Sequence, residues 1–133
     1  MNFTKQLGVF LLAFGLAGCA ATGAKPGGNA DSQNVVAKKA QSRWDALIKG
    51  DLAAAYEYLS PATRSVMPLE LYKSKVRSGG WKKASVGSVV CNQDRCDVAI
   101  TMEHSYREMT SIVTPLNETW LQEDGNWWFV PRK

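Results

Sequence analysis

The spacing of the apolar residues changes at Trp81, and no other feature of the chain limits its fold as much. Before Trp81, apolar side chains recur every three or four positions. Val36, Ala40, Trp44, Leu47 and Ile48 form one such stripe, which predicts a helix over 34–49. "KGD" then interrupts. Gly50 suits the left-handed position after a helix, and Asp51 suits the N-cap of the next. Leu52, Ala55, Tyr56 and Leu59 make a second stripe, and Ser60-Pro61 either ends that helix or starts a tighter turn. Pro68 suits the first turn of a third short helix, "PLELYKSKV", closed near Ser78-Gly79-Gly80.

After Trp81 the apolar residues alternate. Cys96, Val98, Ile100 and Met102 face one way, and Asp97, Ala99, Thr101 and Glu103 the other. Residues 112–123 read as extended, with Pro115 marking a bulge or an edge. In "ETWLQEDGNWWFV", Asp124-Gly125 fits a two-residue type I′ turn. That register sets Trp120 against Phe129 and Leu121 against Trp128. It also puts Trp120, Trp127 and Phe129 on one face. Helices first and an antiparallel meander after them predict an α+β domain, with the helices on one face of the sheet.

Upstream, Leu7 to Leu16 is an uncharged apolar run of ten residues. A membrane-spanning helix needs about 20. The run follows a short polar segment carrying Lys5, the layout of a secretory signal peptide. Leu16-Ala17-Gly18-Cys19 resembles the bacterial lipobox. That resemblance implies cleavage before Cys19, a diacylglyceryl group on its thiol and, in many bacteria, acylation of the new amine. Two or more such chains anchor a protein stably in a membrane. The residue after the cysteine is Ala20 rather than Asp, which in Gram-negative lipoproteins points to the periplasmic face of the outer membrane. The expected division is a leader over 1–18, a lipidated cysteine and flexible tether over 19–33, and a single domain over 34–133. The tether is rich in Gly and Ala, is otherwise mostly polar, and lacks the large apolar side chains that offset chain entropy.

With Cys19 lipidated, Cys91 and Cys96 remain. An even pair in an oxidising compartment reads as a disulfide. The two flank "NQDR", and across a hairpin mouth they would oppose each other within bridging range. The spacing does not match a C-x-x-C redox motif. His104 is the one histidine, too few ligands for a zinc site, and no metal or cofactor is expected.

Removing Lys5 with the leader leaves 15 of the 16 basic residues against 12 acidic ones. That weak excess, on an exported chain, excludes a nucleic-acid partner, which would require a concentrated basic face. The densest cluster is "KSKVRSGGWKK", with Lys73, Lys75, Arg77, Lys82 and Lys83. It reads as solvated surface, or as a contact for anionic lipid or polysaccharide.

Two segments carry a family resemblance. "RWDALIKGDLAAAYEYLSPATR", with its W-x-A-L-I-x-G-D-x-x-A-A-Y run, and the closing "TWLQEDGNWWFV" together resemble the nuclear transport factor 2-like superfamily, in particular its small bacterial lipoproteins. The resemblance spans about Val35 to Val130. It implies three helices wrapped on a curved four-stranded sheet to form a cone with a mouth. Enzymes of that superfamily hold an acid or base inside the cone, and such a group needs a tuned pKa and a polar partner. His104 continues the apolar face that ends at Met102, with Tyr106 at the same parity and Tyr56 on the second helix. These four residues are the expected pocket. No carboxylate falls inside an apolar stripe, and no G-x-S-x-G, H-E-x-x-H or phosphate loop occurs. The leading expectation is therefore a non-catalytic envelope lipoprotein that binds a protein, a peptidoglycan fragment or a lipid-like molecule. The alternatives are an assembly role through a homodimer of sheet faces, marked by exposed tryptophans, and an enzyme acting on a small hydrophobic molecule.

Overall fold

A computed structural model describes residues 30–77 and 79–132. The expected leader, the expected lipidation at Cys19 and the expected tether up to residue 29 lie outside the described residues. Four helices come first: α1 (Ala30–Lys49), α2 (Leu52–Tyr56), α3 (Pro61–Val66) and α4 (Leu69–Lys75). Four strands follow: β1 (Trp81–Asn92), β2 (Arg95–Tyr106), β3 (Met109–Glu123) and β4 (Asn126–Val130). They form one antiparallel sheet in the order β1-β2-β3-β4. The expected α+β class, with N-terminal helices on a four-stranded antiparallel sheet, is what the chain adopts.

Two helix expectations need correction. The first helix starts at Ala30, so residues 30–33 are helical rather than tether. Those residues precede the first core contact, Val36, and an apolar stripe cannot register them. Among the described residues the helices also number four rather than three, because the second ends at Tyr56 and a separate one starts at Pro61. Pro61 has no N–H to continue a helix but suits the first turn of a new one. The Ser60 hydroxyl accepts from the Thr63 amide at 3.1 Å and caps α3. The other punctuation is as expected. Gly50 takes φ +76°, and the Asp51 carboxylate accepts from the Ala54 amide at 3.0 Å.

α1 packs along β1 and β2. Val36, Ala40, Trp44 and Leu47 meet Ala84, Val98, Ile100, Met102, Trp120 and Trp127 in the main core. Trp44 and Trp81 stack edge to face at 5.6 Å. A second cluster, Tyr56, Leu59 and Tyr72, lies under α2–α4. Phe129 packs against both, and its amide donates to Tyr58 O at 2.8 Å. Thus β4 is held by β3 on one edge and by the Tyr58–Leu59 segment on the other.

Asp124 and Gly125 take φ of 50° and 77°, and the register Trp120↔Phe129, Leu121↔Trp128 is the expected one. Trp120, Trp127 and Phe129 share the helix-facing side. At the first hairpin, Cys91 and Cys96 are directly opposed and joined by a disulfide, with Cα atoms 4.0 Å apart. Both sit in the core, so the bridge closes the mouth of the hairpin from inside. Replacing both by serine should lower stability by about 2 kcal/mol, the chain-entropy value for so short a loop. An unchanged midpoint in urea titrations with and without reductant would contradict this.

The short β4 leaves β3 unpaired on one edge from Met109 to Glu118. Two features blunt that edge. The Arg132 guanidinium donates to Asn117 O at 2.9 Å, beyond the end of β4. Asn117 O therefore faces the open side. Alternation along the strand aims residue 115 the same way, where Pro115 offers no N–H. Pro115 thus marks an edge, not a bulge; both devices oppose pairing with another chain.

Candidate functional site

The structure places an ion pair inside the domain, Arg43 with Glu118, and the sequence expectation of no carboxylate in an apolar stripe is corrected here. Both residues are buried, at 6% and 7% exposure. Arg43 Nη1 donates to Glu118 Oε1 at 2.7 Å. The Trp44 indole donates to the same oxygen at 2.8 Å, and the Trp120 indole to Oε2 at 3.2 Å. The Arg43 guanidinium also lies 3.6 Å from the Phe129 ring centroid, in cation–π range. Tyr72 lies behind this group. Neither its hydroxyl nor Arg43 Nε makes a hydrogen bond of ordinary geometry, although both atoms are buried.

The local sequence explains the placement. On β3, Leu116, Glu118 and Trp120 share one parity, and that parity faces the helices. On α1, Val36, Ala40, Arg43 and Leu47 recur at helical spacing, so Arg43 belongs to the buried stripe. The missed signal was therefore present twice: one charged residue inside each apolar pattern, of opposite sign.

Burial pushes the Glu118 carboxyl above its ordinary value, and this outweighs the Arg43 charge and the indole and guanidinium donors that favour the anion. Burial likewise raises the Tyr72 hydroxyl, with Glu118 adding to the shift and Arg43 opposing it. The sign of the linkage follows. A carboxyl raised in the folded state holds its proton when the unfolded chain has lost it. Its stabilising contribution is complete below the unfolded value and is lost as pH rises through the folded value. The stability of the wild type relative to Glu118→Gln should therefore decline as pH rises from about 4. Paired urea titrations from acid to neutral pH measure it. A wild-type advantage that grows with pH would mean that Arg43 and the indoles hold the carboxyl low instead.

A cleft of about 460 Å³ opens over the pair. Such a volume falls within the usual range for small-molecule sites, about 300–1,000 Å³. The cleft lies where β4 stops and β3 runs on alone, so both faces of the sheet contribute. Arg43, Trp44, Leu116, Glu118 and Phe129 line it from the helix side, Asn117, Thr119, Leu121, Val130 and Arg95 from the other, and Pro131 and Arg132 at the chain's exit from β4. Arg95 is held by a two-pronged contact with Asp97, at 2.8 Å and 3.2 Å, and Thr119 donates to the same carboxylate at 3.0 Å. The Arg95 hydrogen bond is the main force holding the exposed Asp97 carboxyl below its ordinary value.

The pocket expected from sequence does not assemble. His104 Nε2 is 3.0 Å from the Thr114 hydroxyl. Met102 sits in the main core. A register shift between His104 and Tyr106 breaks the alternation, and Tyr106 ends 57% exposed. Tyr56 belongs to the second cluster, where its hydroxyl donates to Met67 O at 2.9 Å. Lys73, Lys75, Arg77, Lys82 and Lys83 are all exposed. Lys73 pairs with Glu70 at 3.1 Å, and Lys82 donates to Thr110 O. The tryptophans do not form an exposed patch. Trp127 is buried, Trp81 is half-buried against Trp44, and Trp128 is half-buried with the Lys39 and Arg64 side chains over its ring. Among the described residues, no group of three His, Cys, Asp or Glu side chains could hold a metal.

The domain is α+β, with N-terminal helices packed against a four-stranded antiparallel sheet. Its interior is packed with aliphatic and aromatic side chains, and its one buried acid among the described residues accepts three hydrogen bonds. A comparable solved structure is the SEC-C motif-containing protein RPA3114 of Rhodopseudomonas palustris. It is 14% identical, with a TM-score of 0.55 over 70% of this chain and 73% of that one. At that identity the likeness shows the fold alone. No protein-family model and no curated protein matches the sequence.

Proposed function

We propose that this is a lipid-anchored binding module of the bacterial cell envelope, a small lipoprotein of the nuclear transport factor 2-like type. In this reading Cys19 carries the lipid, the domain is held at the periplasmic face of the outer membrane, and the cleft beside β4 takes another envelope component. The observation that carries it is the state of Glu118. Glu118 is tied into the fold: it is ion-paired with Arg43, its Oε1 accepts from Arg43 and Trp44 and its Oε2 from Trp120, which supports a role in the floor of the cleft. A leash from the lipid would raise the domain's effective concentration for partners at the same membrane.

The test is in-cell photocrosslinking from Leu121 and Val130 at the rim of the cleft, with Val90 on the far strand as control. The reading expects a discrete crosslinked species from the rim positions only, identifiable by mass spectrometry. Crosslinks from Val90 alone would overturn it in favour of contact elsewhere on the sheet. The anchor is tested separately: Cys19→Ser should abolish labelling by an alkyne fatty acid, and persistent labelling would refute the lipobox reading.

A further inference from the structure

The cleft has a charge imbalance and apolar walls, and together they specify a ligand class. Its lining holds Arg43, Arg95 and Arg132 against the single acid Glu118. Glu118 meets the charge of Arg43, and Asp97 meets that of Arg95. Arg132 donates to a neutral carbonyl, Asn117 O, and among the described residues it has no ion-pair partner. One positive charge is therefore left over at the rim. At the floor, the guanidinium of Arg43, paired with Glu118, adds a second positive edge to the lining. A cation is disfavoured there, because three arginines line the cleft against one acid, and that acid is already paired with Arg43. An added peptide strand is also disfavoured, since Pro115 lacks the N–H and Arg132 already occupies Asn117 O.

We propose that the cleft takes an amphipathic anion. A single anionic headgroup sits between Arg132 and Arg43, and its apolar body lies along Trp44, Leu116, Phe129 and Pro131. The headgroup chemistry is that of a carboxylate or a phosphate, both of which match the guanidinium fork. This inference rests on the cleft being the binding site proposed above.

The experiment is a titration of the 15N-labelled full chain with sodium octanoate, octyl phosphate and octanol, followed by the amide and indole signals of the cleft. Octanoate or octyl phosphate should shift the Trp44 indole and the Asn117 and Val130 amides at concentrations where octanol does not. The tighter of the two acids identifies the headgroup. Arg132→Gln, at an exposed position, should weaken that binding about tenfold, the loss expected for one charged hydrogen bond, with an unchanged melting temperature. Lys82→Gln, at the opposite end of the sheet, should leave it unchanged. Equal shifts with octanol would overturn the anion inference while leaving the cleft as a binding site. So would an equal loss in Lys82→Gln, which would mean that overall charge drives the binding. No shift at the cleft with any of the three overturns the inference, and the crosslinking experiment then decides separately whether the cleft binds something else.

Discussion

Arg43→Met is expected to lower the unfolding free energy by about 3–5 kcal/mol, the usual cost of removing one partner from a buried ion pair. Methionine keeps the apolar stem but not the guanidinium over the Phe129 ring, so the loss includes that contact as well as the charge. Glu118 would keep only its two indole donors and stand in the interior without a countercharge. A stranded carboxyl escapes by taking a proton, so the deficit should be smaller near pH 4 than near pH 8. Adding Glu118→Gln should restore most of the loss, because the amide oxygen still accepts from Trp44 and no charge remains. Urea titrations of the two single variants and the double variant give the coupling directly. A deficit under about 1 kcal/mol would place the pair with exposed ones such as Glu70–Lys73, whose glutamate side chain is 84% exposed.

Trp44→Ala should cost a similar amount, about 3–5 kcal/mol, for a different reason. The indole is 5% exposed and fills the space between α1 and the sheet, edge-on to Trp81. Its removal opens a large cavity and also takes one donor from Glu118. Trp44→Phe separates the two effects. It keeps most of the packing and loses the N–H, so it should cost about 1–2 kcal/mol. Equal losses in both variants would mean that the hydrogen bond, not the packing, holds α1 in place. An alanine loss below about 1 kcal/mol would remove Trp44 from the core.

The same contacts show which parts of the molecule could be read in advance. Gly50 and Asp51 mark the end of α1 and the cap of α2 by their own chemistry. Asp124-Gly125 sets its hairpin register through the turn it can make. Cys91 and Cys96 are only five residues apart, so the hairpin that opposes them is itself local. The α2–α3 break was half legible, because Pro61 forbids continuation but does not reveal that Ser60 will cap a new helix. The functional pocket was misjudged for a similar reason. Extending strict alternation past Met102 took Tyr106 inward, whereas a register shift at the end of β2 turns it outward.

Helices before strands, the Gly50-Asp51 punctuation, the registers of the first and last hairpins and the disulfide all follow from forces acting over a few residues. The site does not, because its residues meet only in the folded domain. Arg43 and Glu118 stand 75 residues apart and read separately as charges out of pattern. Each is stable in the interior because the other is there, and that mutual condition is met only when α1 packs on the sheet and the Arg43 side chain reaches β3. The cleft has the same origin. It exists because β4 is shorter than β3, and its shape depends on where the exiting Pro131 and Arg132 come to rest.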